Sequence, residues 1–210
     1  MRPSFLAPIA RVLAFSALLG APALASTASA ASPGPAPAFV GAGFAWRVNG
    51  MQGNDYWTSG LGGAAGFTLL RSPNADWAMQ VEYGELAFDH GSFEHYIKRS
   101  SGATSGAPAR FAVASLALRL HPARARLQPY LDLGLGFERT WMPQIRFTTP
   151  SGPSTLGASR RTHPTAVAGV GVSYRATRGP GVFAELHATR IGMPGDPAYP
   201  ANARCGVLLP

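Results

Sequence analysis

From Ala38 onward, apolar residues alternate with small or polar ones in about eight short runs, a period of two that places successive side chains on opposite faces of an extended strand. In Ala38 to Val48 one face carries Val40, Ala42, Phe44, Trp46 and Val48, and the other Gly41, Gly43, Ala45 and Arg47. Next, Leu61, Gly63, Ala65, Phe67 and Leu69 oppose Gly62, Ala64, Gly66 and Thr68, and then Trp77, Met79, Val81 and Tyr83 oppose Ala78, Gln80, Glu82 and Gly84. The fourth run sets Ala114, Leu116, Leu118 and Leu120 against Ser115, Ala117, Arg119 and His121. The fifth sets Leu131, Leu133, Leu135 and Phe137 against Tyr130, Asp132, Gly134, Gly136 and Glu138. Later, Ala166, Ala168, Val170, Val172 and Tyr174 oppose Gly169, Gly171 and Ser173, while Val182, Ala184, Leu186 and Ala188 oppose Phe183, Glu185, His187 and Thr189. A short last run, Ala203 to Leu209, sets Cys205, Val207 and Leu209 against Arg204, Gly206 and Leu208. Each strand therefore faces two environments, one greasy and one small or polar.

The connections alternate in length. Short links fall at Arg71 to Asp76, Pro122 to Gln128 and Ala176 to Gly181, and long ones at Asn49 to Trp57, Asp89 to Ala109, Met142 to His163 and Ile191 to Ala201. A soluble sandwich has no reason to sort its loops by parity. A soluble up-and-down barrel could do so, but it would turn its bulky apolar residues inward around a ligand. An eight-stranded barrel has a narrow interior that side chains fill, so here the Gly, Ala and polar face suits the inside and the greasy face suits lipid. The expectation is an all-β, eight-stranded antiparallel up-and-down transmembrane β-barrel of the bacterial outer membrane, with tight turns in the periplasm and long loops outside.

The segment before the strands agrees with that compartment. Arg2 and Arg11 precede an apolar stretch, Val12 to Leu19, and then Ala-x-Ala sites at Ala23-Leu24-Ala25 and Ala28-Ser29-Ala30. This is the order of a secretory signal peptide, and the apolar run is shorter than the roughly 18 to 20 residues that span a bilayer. We expect a signal peptide over 1–30 with cleavage between 25/26 and 30/31, a Pro-rich tether over 31–37 and the barrel over 38–210. The single cysteine, Cys205, allows no internal disulfide.

The formal charge of +8 raises the question of nucleic acid. The arginines do not form a basic helix or stripe: Arg124, Arg126, Arg175 and Arg178 fall in turns, and Arg47, Arg119 and Arg204 fall inside alternating strands. Anionic lipid head groups at the rims, outer-membrane lipids and lipopolysaccharide among them, are the expected partners, and no nucleic acid is expected.

Two stretches resemble a known family. Pro129 to Phe137, and Phe183 to Ile191 followed by a loop and Gly206-Val207-Leu208, are similar to strands of the small OmpA/OmpX-like outer-membrane β-barrels. The resemblance implies an eight-stranded barrel inserted by the barrel assembly machinery. Family members usually finish on an aromatic residue, whereas this chain ends Val207-Leu208-Leu209-Pro210, so a truncated or atypical last strand is expected.

The inward rows bring Arg47, Glu82, Arg119, Asp132, Glu138, Glu185, His187 and Arg204 towards one lumen. Charges there are costly unless paired, so these residues are expected to form a plug of ion pairs and hydrogen bonds, with a proton or ion path as the rival use. Outer-membrane lipid A deacylases carry a His-x-Ser pair with a nearby acid, and His187-Ala188-Thr189 with Glu185 is the nearest echo. Threonine stands in for serine, and the pair sits on the lumen row, so no catalytic residue is assigned. A periplasmic barrel binding an apolar ligand is the remaining alternative. The loop from Asp89 to Tyr96 mixes His90 and His95 with carboxylates, without a diagnostic metal spacing; a solvated surface loop is expected, with no metal or cofactor. The long loops are left as the surface for an extracellular ligand.

Overall fold

The structure is a computed structural model that describes residues 38–48, 56–97, 104–122, 126–175, 179–191 and 199–209. The signal segment and tether lie outside them. The strands are β1 (Ala38–Val48), β2 (Trp57–Arg71), β3 (Ala75–Phe88), β4 (Ser105–Gly106), β5 (Ala109–Leu120), β6 (Leu127–Met142), β7 (Ile145–Thr149), β8 (Gly152–Leu156), β9 (Ser159–Tyr174), β10 (Gly181–Ile191) and β11 (Tyr199–Leu208); one helix, α1, covers His90–Ile97. Eight of the strands close a barrel in the order β1-β11-β10-β9-β6-β5-β3-β2, and β4, β7 and β8 form a separate three-stranded sheet. All neighbours in the barrel are antiparallel, and β1 pairs with β11 through Phe39↔Leu208 to Val48↔Tyr199. Closure removes the edges of the barrel sheet, which is what allows a β-structure to stand in hydrocarbon.

The barrel is greasy outside and polar inside. Leu127, Leu131, Leu133, Leu135 and Phe137 of β6 point outward, with Leu135 72% exposed, while Gln128, Asp132 and Glu138 of the same strand are buried. The outward row from Leu127 to Phe137 runs about 33 Å along the strand and, at the usual ~40° tilt, about 25 Å across the barrel wall. That matches the apolar band of an outer-membrane barrel. Tyr174, Val172, Val170, Ala168, Ala166 and Pro164 make the same span on β9, which pairs with β6 as Leu127↔Tyr174 through Phe137↔Pro164.

Strand ends differ from the sequence expectation. β6 and β9 stay paired to Met142↔Ser159, so the expected loop Met142 to His163 gives its two ends to these strands and folds between them into the β7–β8 hairpin. That hairpin turns through Gly152 at φ 121°, a conformation side chains disfavour. A β-bulge between Thr68 and Leu70 puts Leu69 and Leu70 both on the outside, 48% and 63% exposed. The last strand is not short: β11 starts at Tyr199 and pairs on both sides. The expected solvated loop after β3 contains α1, whose N-terminus is capped by Asp89; its Oδ1 accepts from the Gly91 and Ser92 amides at 3.0 and 3.3 Å. One residue of this helix, Phe93, is fully buried.

Candidate functional site

Inside the barrel the side chains stack in three layers. At the end with the short turns, Phe39, Ala64, Phe183 and Leu208 form an apolar cluster, with Phe39 and Phe183 edge to face at 5.7 Å. At the end with the long loops, Tyr56, Trp57, Phe93, Phe111, Val113 and Ile145 are buried in a second cluster, with Phe88 and Phe147 packed on it. Phe93 is its pivot, edge to face with Tyr56 at 5.0 Å and with Phe147 at 5.4 Å.

Between these layers lie most of the charged residues singled out from the sequence. Arg119 donates from Nε and Nη2 to Asp132 at 2.8 and 2.7 Å, a bidentate pair across β5 and β6 that the register Arg119↔Asp132 sets up. Its guanidinium also lies 4.0 Å over the Tyr130 ring and 3.6 Å from Glu185. Glu185 joins the two halves of the network. It accepts from the Tyr130 hydroxyl at 2.8 Å and from Arg204 Nη2 at 2.7 Å, so a β10 carboxylate is shared among β5, β6 and β11. Arg204 Nη2 also donates to Gln80 at 3.0 Å, and its Nη1 lies 3.0 Å from Glu82 Oε1. The same oxygen is 3.0 Å from His187 Nδ1. Asn202 donates to the other Glu82 oxygen at 2.9 Å.

Six of the sequence-derived residues, Glu82, Arg119, Asp132, Glu185, His187 and Arg204, therefore meet in one connected group. Glu138 is buried on the same inward face, closer to the long loops, opposite His163 of β9. Arg47 belongs to β1 by its backbone, opposite Pro200, and its side chain lies outside the described residues. Gln80, Tyr130 and Asn202 are members that the charge pattern alone did not single out. Gln80 and Tyr130 stand on inward rows beside Glu82 and Asp132, which was the available signal. Asn202 was missed because the last run was begun one residue after it. A second polar pair, His121 Nε2 and Asp76 Oδ2 at 3.4 Å, lies near the short turns.

A recess of about 230 Å³, open space included, is lined by Gly43, Gly62, Glu82, Phe111, Asn202 and Arg204. About 10 Å³ of it is open to the centre of a water, room for about one. His187 and Thr189 both point into this interior and are buried, and His187 faces Glu82. Among the described residues no group of three or more His, Cys, Asp or Glu is placed to hold a metal ion.

No family model matches the chain, and no curated protein matches it in sequence. In three dimensions it is similar to the crystal structure of Neisserial surface protein A, with a TM-score of 0.53 and 13% identity over 82% of this chain and 95% of that one. The fold is that of an eight-stranded outer-membrane barrel. At that identity the likeness speaks for the fold alone, and it agrees with the apolar band and polar interior built up above. Ail, the attachment invasion locus protein of Yersinia pestis, also matches, at 11% identity, TM-score 0.47, over 83% of this chain and 99% of that one. So does the N-terminal β-barrel domain of Pseudomonas aeruginosa OprF, at 15% identity, TM-score 0.45, over 82% and 97%.

Proposed function

We propose that this outer-membrane barrel is a non-enzymatic component of the envelope: it contributes to envelope integrity through a filled, ion-paired interior and offers its long loops as the surface for an extracellular ligand. The observation that carries the reading is the interior itself. Arg119 and Arg204 pair with Asp132, Glu185 and Glu82, with His187 against Glu82, between two apolar clusters, so the charges are used on each other rather than on a solute. In this reading residues 1–30 are the signal peptide and 31–37 the tether. The barrel assembly machinery inserts the chain with its short turns in the periplasm, and lipopolysaccharide surrounds the rim at the long loops.

A lipid A deacylase would need its base and nucleophile open to lipid. His187 and Thr189 sit on the lumen side of the wall, 2% and 1% exposed, and the imidazole Nδ1 lies 3.0 Å from a Glu82 carboxylate oxygen. A soluble ligand-binding barrel would need an apolar inside and a polar outside, the reverse of what the exposed leucines show. Mass spectrometry of lipid A from cells with and without the protein is the test, paired with planar-bilayer conductance. Identical lipid A and no steady current are expected. An acyl chain lost in a His187-dependent and Thr189-dependent way would make the protein an enzyme, and sustained channels would make it a pore.

A further inference from the structure

The outer wall changes chemistry at one level. On β6 the apolar row ends at Phe137, 65% exposed, and the next two outward positions are Arg139 and Trp141. On β5 the row Leu120, Leu118, Leu116, Ala114, Ala112 ends at Arg110, and on β9 the row from Tyr174 passes Pro164 and Thr162 to reach Arg160. Register brings these positions side by side: Trp141 pairs with Arg110 on one flank and with Arg160 on the other. With strands about 4.8 Å apart, the two arginines are carried on backbones about 10 Å apart across Trp141, and Arg139 lies one outward position nearer the apolar band.

The local contacts hold the cations on the outside rather than drawing them inward. Arg139 stacks its guanidinium on Trp141, 5.4 Å from the ring centroid. Arg110 engages Glu85 through Nε at 2.9 Å and keeps a side chain that is 45% exposed. Arg139 and Arg160 are exposed. An indole at the edge of an apolar band is an interfacial anchor, so this level is where hydrocarbon gives way to head groups. Three guanidiniums around it, facing along the membrane plane, suit an anion that sits above acyl chains. Arginine forks match phosphate oxygens in pairs.

We propose that Arg110, Arg139 and Arg160, framed on Trp141, form a binding site for the phosphate groups of a phosphorylated outer-leaflet glycolipid, lipopolysaccharide, whose acyl chains lie against Phe137, Leu135 and Ala166. The proposal rests on the orientation given above, with the long loops outside. Lipopolysaccharide is the favoured occupant over a glycerophospholipid because it fills the leaflet on that side and brings several anionic groups per molecule to a cluster of three cations. Glu85 offsets part of the charge and positions Arg110.

The test uses the folded full barrel in nanodiscs of zwitterionic lipid doped with lipopolysaccharide, with enzymatically dephosphorylated lipopolysaccharide, or with phosphatidylglycerol at matched charge, reading lipid retained per barrel by mass spectrometry. The parent should retain lipopolysaccharide about tenfold better than the dephosphorylated form, as expected for several interfacial cations acting together. Arg139→Gln with Arg160→Gln should lose that preference, and Arg71→Gln with Arg126→Gln at the opposite rim should keep it. Heat-modifiable mobility confirms folding; if the double variant does not fold, Arg160→Gln alone, at the strand end beyond the apolar band, must still reduce the preference. Equal retention of phosphorylated and dephosphorylated lipid by the parent, an unchanged preference in the Arg139 and Arg160 variants, or phosphatidylglycerol retained as well as lipopolysaccharide would each overturn the site. Because this readout is independent of orientation in cells and of lipid A chemistry, its failure leaves the envelope reading standing, and a surface-labelling result can fail without it.

Discussion

At the scale of single residues the interior depends on a few shared atoms, and Glu185 is among the most heavily used. Its two oxygens take Arg204 Nη2 at 2.7 Å and the Tyr130 hydroxyl at 2.8 Å, with Arg119 3.6 Å away. Glu185→Gln keeps the shape but removes the charge, leaving buried guanidiniums short of a counter-charge. It should destabilise the folded barrel in bilayers by about 3 kcal/mol. Its neighbour Leu186 points to lipid, and Leu186→Ala should cost much less. Equal unfolding free energies for parent and Glu185→Gln would mean that the pairing contributes little to stability. The same crowding explains a glycine: a Cβ at Gly171 would lie 2.5 Å from the Tyr130 hydroxyl oxygen and 2.8 Å from the Ala184 carbonyl oxygen, so any side chain there displaces the tyrosine that bonds Glu185.

Elements show which parts of the fold were legible. The facing of the barrel strands was readable because lipid and lumen impose opposite demands on alternate residues, as Leu131, Leu133 and Leu135 against Asp132 and Gly134 illustrate. Strand ends were not readable, because above the membrane those demands relax. The facing of the first residues of β5, before Ala114, was not readable since Phe111 and Val113 turn inward to the aromatic cluster, so the row that is polar lower down reads as apolar on both faces. Helix α1 was missed for another reason: eight residues carry little periodicity, and its strongest signal was the Asp89-x-x-Ser92 cap. Two predictions belong here. Leu133→Arg on β6 should destabilise the bilayer-inserted barrel by roughly 2 to 4 kcal/mol, with insertion as efficient as the parent's counting against the outward facing. For α1, the Ser92 hydroxyl and amide, with the Gly91 amide, hold the Asp89 carboxyl below its ordinary range. A lowered carboxyl stabilises the cap above the unfolded value and loses that contribution as pH falls through the lowered one. Hydrogen exchange at α1 amides should therefore speed up in strongly acidic solution beyond the intrinsic trend. Asp89→Ala should already be loosened at neutral pH, by about 1 kcal/mol, and should lack the acid step; a parent without that step would remove the cap from the account.

For the whole molecule the decisive property is sidedness, since the filled interior, the loop surface and the arginine rim all acquire meaning from which end faces out. Loop parity argues for the orientation: the connections at Ser72 to Asn74 and between β5 and β6 are tight, while those carrying α1 and the β7–β8 hairpin are long, and assembly moves long polar loops to the far side. The hairpin is a good reporter because Ser154 sits on β8, well past the level of Trp141 on the wall. Cys205 faces outward on β11 and would blur the measurement, so Cys205→Ala provides the background. In it, Ser154→Cys should react with a membrane-impermeant maleimide on intact cells, and Asn74→Cys should react only after the outer membrane is opened. Labelling of both on intact cells would remove the parity argument. Labelling of Asn74→Cys alone would invert the barrel, placing the Arg110, Arg139 and Arg160 rim in the periplasmic leaflet, where lipopolysaccharide is absent, and leaving any phosphate selectivity it shows in nanodiscs without its occupant in the cell.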